Sequence, residues 1–104
     1  MYFISSYYEK QQAMSEYFIA GKYYEQGKDD LAIALLNQSI SKYSENYGPY
    51  YLLGNLYIKK QNLEFALQMY KMALQTIAKK GNIKAGIDKQ NIEKKIDEIE
   101  AKLR

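Results

Sequence analysis

Nucleophilic chemistry needs an activated hydroxyl, thiol or amine, and this chain has few ways to activate one. It contains no histidine and no cysteine, which removes the commonest general base, the commonest metal ligand and every thiolate site. What remains is Ser, Tyr, Lys, Asp and Glu. The stretch "SISK" places Ser39 three residues before Lys42, the S-x-x-K spacing in which an amine can activate a serine for acyl transfer. That chemistry needs companion elements, and neither S-D-N nor K-T-G occurs. Asp29 and Asp30 are adjacent, so on a helix they point in different directions. They read as first-turn acids rather than an acid–base pair. No G-x-x-x-x-G-K-[ST], no G-x-G-x-x-G and no calcium-loop pattern is present. The residues therefore predict no catalytic site, no cofactor and no bound metal.

The other side chains able to engage a ligand are the tyrosines. There are 12, eleven of them in the first 57 residues. A phenol has an apolar body and a polar tip, useful both in cores and at contact surfaces. Charge adds little. Residues 1–78 are neutral overall, and the net charge of +3 sits in residues 79–104, where basic and acidic side chains are interspersed. Nucleic-acid binding wants a clustered basic face, so no nucleic-acid partner is expected. No apolar run is long enough to span a membrane, and "MYFISS" has neither the basic start nor the apolar stretch of a signal peptide. If Met1 is the native start, the expected compartment is the cytoplasm.

The elements that would position these residues are helical. One proline and a wealth of Leu, Ala, Lys, Gln and Glu favour helix over strand. Breaks at Gly27, "SENYGP" (44–49), Gln61-Asn62 and Gly81 predict helices over about 6–27, 29–43, 49–60, 63–80 and 88–103. Pro49 suits a first turn, Asn62 an N-cap, Gly81 the residue past a helix end, and Asp88 the cap of the last helix. Residues 81–87, with Ile83 and Ile87, read as a helical turn or an apolar loop.

Shifting the chain by 34 residues lays "YFIAGKYYEQGKDDLAIALLNQSI" (17–40) over "YLLGNLYIKKQNLEFALQMYKMAL" (51–74) without a gap. Ala20 meets Gly54, Tyr23 meets Tyr57, Ala32 meets Ala66, Leu36 meets Tyr70 and Ser39 meets Ala73. A helix–turn–helix period of this length resembles the tetratricopeptide repeat. The second copy carries that family's pattern at Tyr50, Leu53, Gly54, Tyr57, Ala66, Tyr70 and Ala73. The first carries it at Ile19, Ala20, Tyr23, Gly27 and Ala32, with Leu36 and Ser39 at the later positions. Glu16 stands where a large residue belongs, and the terminal proline is absent from both copies (Ser44, Ala78).

The resemblance implies an all-α fold, antiparallel helix pairs stacked as a short right-handed α-solenoid of about five helices. It gives one domain, 1–104, with repeats at about 13–46 and 47–80 and a capping helix at about 83–103. The last helix sets Ile92, Ile96, Ile99 and Leu103 on one stripe, which also satisfies coiled-coil spacing. The resemblance further implies a non-enzymatic protein–protein interaction module whose concave groove takes a peptide or a partner's helix. The groove positions are Tyr17, Gly21 and Tyr24 in the first repeat, and Tyr51, Asn55, Ile58 and Lys59 in the second. Asn55 matches a position that bonds ligand backbone in such repeats. The basic clamp for a C-terminal carboxylate is missing, since Tyr17 and Tyr51 occupy one of its positions. Two alternatives stand beside this reading. One is a C-terminal appendage of a larger bacterial protein such as a β-lactamase-type serine hydrolase. The other is a homodimerisation module, paired through the apolar start (Tyr2, Phe3, Ile4, Tyr7, Tyr8) or the last helix.

Overall fold

A computed structural model describes residues 2–81 and 85–104, with side chains from residue 6 onward. Ile83 and the side chains of Tyr2, Phe3 and Ile4 lie outside that set. Five helices follow one another: α1 (Tyr2–Glu25), α2 (Asp29–Lys42), α3 (Tyr47–Lys59), α4 (Leu63–Lys80) and α5 (Gly86–Leu103). No strand occurs among the described residues.

Two antiparallel pairs, α1/α2 and α3/α4, repeat the same hairpin, and local chemistry explains its turn. Gly27 takes φ 75° and Gln61, its equivalent one period later, takes φ 61°. In each turn two amides bond back to the preceding helix: Lys28 N–H to the Tyr23 carbonyl at 2.9 Å, and Asn62 N–H to the Tyr57 carbonyl at 2.9 Å. This is the left-handed closure that satisfies carbonyls at a helix end. Glycine adopts it freely; Gln61 does so at a cost of about 1–2 kcal/mol. Asn62 then caps α4, its side chain accepting from Phe65 N–H at 3.2 Å, as the sequence predicts. Gly81, at φ 59°, closes α4.

Three helix starts differ from the sequence reading, the first being α1, which begins at Tyr2 rather than at about residue 6. Tyr47 and Gly48 belong to α3 rather than to a loop, because Asn46 caps the helix by accepting from Gly48 N–H at 3.1 Å, and Pro49 lies in the first turn as the sequence predicts. Proline at the third position costs nothing there, since first-turn amides have no intrahelical acceptor. Asp88 is not the cap of α5. That helix starts at Gly86, Ala85 takes the cap position without a side-chain bond, and the Asp88 carboxylate is engaged elsewhere.

The small residues set the helix spacing. Ala20, Ala32 and Leu36 are buried with Leu53 and Leu56 where the second pair meets the first. Ala66, Tyr70 and Ala73 are buried with Ile77, Ile92, Ile96 and Ile99, so α5 lays its isoleucine stripe on the second pair. Leu103, at the end of that stripe, stays 44% exposed. Gly54 lies flat under the Tyr70 ring. A Cβ there would sit 2.6 Å from Cδ1 and 2.7 Å from Cζ of that ring. In the first repeat Ala20 is tolerated because Leu36, not an aromatic, stands opposite. The two pairs are also clamped at their turns, where Lys59 bonds Asp29 at 3.0 Å and Lys60 bonds Asp30 at 2.9 Å.

Candidate functional site

The would-be catalytic motif is structural. The Ser39 hydroxyl is buried and donates to the Ala13 carbonyl at 2.7 Å. Lys42 is paired with Glu16 at 2.9 Å. Neither group is free for the other.

The tyrosines, by contrast, gather. Tyr17, Gly21 and Tyr24 recur at helical spacing along α1, and Tyr47, Tyr51 and Asn55 along α3, so each set shares one face. Asp88, Asn91 and Lys95 do the same on α5. Tyr47 donates its hydroxyl to Asp88 at 2.6 Å, joining α3 to α5. Tyr70 reaches through from α4 and donates to Asn55 Oδ1 at 2.5 Å, with its ring edge-on to Tyr51 at 6.2 Å. Lys95 stands 5.9 Å over the Tyr70 ring, and Lys59 stands 5.3 Å over Tyr24. Tyr17 packs its ring on Gly48 of α3; a Cβ at Gly48 would lie 2.5 Å from the Tyr17 hydroxyl.

Burial and one carboxylate control the phenols. Tyr47 is pushed up to about 12, first by burial and then by its bond to Asp88. Tyr17 and Tyr51 are raised by burial and by the Asp88 charge; at Tyr51 the side chain of Asn91 acts in the opposite direction. Tyr70 is raised by burial, with Tyr51 and Tyr24 adding to it. These shifts favour the protonated phenol, so these four side chains act at neutral pH as hydrogen-bonding hydroxyls on apolar rings, not as nucleophiles.

Between α1 and α3 an open groove of ≈ 560 Å³ is lined by Tyr17, Phe18, Gly21, Tyr24 and Leu52, with Lys22 and Glu25 on its wall. Three of the seven sequence-derived positions, Tyr17, Gly21 and Tyr24, border it directly. Tyr51 and Asn55 are half-buried in the α3–α4–α5 tyrosine cluster. Asn55 has its oxygen occupied by Tyr70, leaving its amide N–H groups as donors. Ile58 is half-buried against the second core, and Lys59 is engaged by Asp29. Sequence reasoning missed Tyr47, Asp88, Lys95, Phe18 and Leu52. Tyr47 sits four residues before Tyr51 and was findable once α3 started early enough. Asp88 was masked by its resemblance to a cap.

A second hollow of ≈ 260 Å³ lies by Ser44, Tyr50, Thr76, Lys79 and Lys80. Its lysines are paired with Glu45, at 3.4 Å for Lys79 and 3.1 Å for Lys80, and they hold that carboxyl below its ordinary value.

Paired antiparallel helices at a 34-residue period, with small residues at each crossing, define the tetratricopeptide fold. Solved structures agree. The crystal structure of a tetratricopeptide repeat domain protein from Salinibacter ruber superposes with TM-score 0.74 at 20% identity, over 85% of this chain and 96% of that one. A solution NMR structure of a tetratricopeptide repeat domain protein from the same organism gives TM-score 0.74 and 20% identity, over 88% and 89%. The likeness is one of fold. No protein-family model matches the chain, and no curated protein matches its sequence. Among the described residues no helix is long and apolar enough to cross a membrane.

Proposed function

We propose that this protein is a non-enzymatic interaction module that receives a peptide or helix of a partner protein on its tyrosine-rich face. The contact residues are Tyr17, Gly21 and Tyr24 of α1 and Tyr51, Asn55, Ile58 and Lys59 of α3. The observation that carries this reading is the gathering of phenol rings beside an open groove, with hydroxyls and amides as the polar groups. Such a surface offers apolar area at low entropic cost together with directional hydrogen bonds. Two repeats bury little ligand surface, so a single segment binds weakly.

Selection of peptides from a random displayed library against the immobilised protein tests it. The expected result is a set of binders sharing aromatic or apolar positions, weakened at least tenfold by Tyr24→Ala and left unchanged by Tyr7→Ala. Failure to enrich any sequence, or binders indifferent to Tyr24→Ala and Asn55→Ala in a folded protein, would refute the groove.

A further inference from the structure

Twice in this molecule a lysine is shared between a phenol ring and a carboxylate. Lys59 stands 5.3 Å over Tyr24 and 3.0 Å from Asp29. Lys80 stands 6.0 Å over Tyr43 and 3.1 Å from Glu45. A third meeting of rings and acid lies where α1, α3 and α5 come together, and among the described residues it holds no cation. Tyr47 donates to Asp88 Oδ2 at 2.6 Å. Tyr17 packs on Gly48, the next residue of α3, and the Asp88 charge raises the phenols of both Tyr17 and Tyr51. Among the described residues nothing donates to Asp88 Oδ1, no ammonium or guanidinium pairs with that carboxylate, and none stands over the rings of Tyr17, Tyr47 or Tyr51. All four side chains are half-buried, neither sealed in the core nor fully hydrated.

The cations on this face are committed elsewhere. Lys59 is held by Asp29. Lys95 stands over Tyr70, seven residues and about 10 Å along α5 from Asp88. Lys22 and Glu25, on the groove wall, are of opposite sign. A carboxylate with an open oxygen among phenol rings attracts a cation and repels an anion. We propose that this corner takes an arginine side chain of the partner peptide and so selects basic segments. The inference rests on the tyrosine-rich face being a peptide site, and it adds the charge of the occupant. A guanidinium donates from its edge to a carboxylate oxygen while its plane lies on an aromatic ring, which the point charge of an ammonium does not match. The phenol oxygens of Tyr17 and Tyr51 have lone pairs to accept its remaining N–H groups. Tyr17 also lines the open groove, which links the groove to this corner.

Chemical-shift titration of the intact, isotopically labelled protein with two blocked tripeptides decides the matter, one with arginine and one with glutamine between two leucines. The arginine peptide is expected to bind at least about tenfold more tightly, with shifts at Tyr47, Tyr51 and Asp88. Asp88→Asn still accepts the Tyr47 hydroxyl, so it should keep the fold and the affinity for the glutamine peptide while abolishing the preference for arginine. Asp97→Asn removes the same charge from an exposed position of α5 and should preserve that preference. Equal binding of the two peptides overturns the arginine site and leaves the groove standing. Binding of neither also overturns it, and the library selection then decides the groove alone. A preference that survives Asp88→Asn, or that Asp97→Asn removes, overturns the assignment to this corner.

Discussion

Gly54→Ala and Gly21→Ala are the same substitution in the interior of two equivalent helices, and they are expected to act with opposite sign. At Gly54 the new methyl would lie 2.6 Å and 2.7 Å from two ring carbons of Tyr70, and closer still to Cε1. Unstrained carbon contacts lie at about 3.5–4.0 Å, so the ring must move by roughly 1 Å. It has little room to do so. Tyr70 is 0% exposed, its hydroxyl is held by Asn55, and its ring edge rests against Tyr51. Overpacking of this kind costs about 1–3 kcal/mol, and the three-atom overlap argues for the upper part of that range. Replacing glycine by alanine in a helix returns about 1 kcal/mol. The net cost is about 1–2 kcal/mol, a fall in Tm of about 5–15 °C for a domain of this size. At Gly21 nothing lies within 4 Å of the new Cβ, so only the propensity gain remains and Tm rises by about 2–8 °C. Thermal melts followed by circular dichroism measure both. The double variant Gly54→Ala with Tyr70→Leu rebuilds the Ala20–Leu36 pair of the first repeat. It should show a coupling of about 1 kcal/mol or more in the direction of rescue. A Gly54→Ala protein that melts at or above the wild-type temperature would refute the close-contact reasoning.

Gln61→Gly relieves a left-handed residue at φ 61° and is expected to stabilise by about 0.5–1 kcal/mol; the urea midpoint should rise with unchanged slope. Ala66→Leu places a large side chain at a fully buried crossing position and should cost about 1–3 kcal/mol, read as a lowered melting temperature. The stability that Tyr47 contributes should not change with pH near neutrality and should decline in alkali. The folded pKa of Tyr47 is raised from 10.0 to about 12, so the unfolded chain releases its proton first, and the contribution present below pH 10 is lost as pH climbs toward 12. Tyr47→Phe should make that decline shallower by one titrating group, visible in urea titrations at successive alkaline pH values. An equally steep decline would show that Tyr47 is ionised as easily folded as unfolded.

The chain itself determined whatever depends on neighbours in sequence. The 34-residue period, the alternation of small and large crossing positions, the glycine closures at Gly27 and Gly81 and the Asn62 cap are all local rules of backbone and side chain. They repeat, and repetition makes them legible. Where two local rules competed, the reading slipped. Asn46 captured the first turn of α3 and drew Tyr47 into the helix. Asp88 looked like a cap because the same residue type caps helices and accepts a phenol hydroxyl. Tertiary structure alone decided the rest. The Tyr47–Asp88 bond joins residues 41 apart, and the Tyr70 hydroxyl finds Asn55 across a helix crossing. Burial differs between equivalent positions too: Leu53 is covered and Ile19 is not, although both are apolar and one period apart. Sequence specifies which side chain a position carries, but its exposure depends on whether another helix lies over it, and that follows from where the repeat falls in the stack.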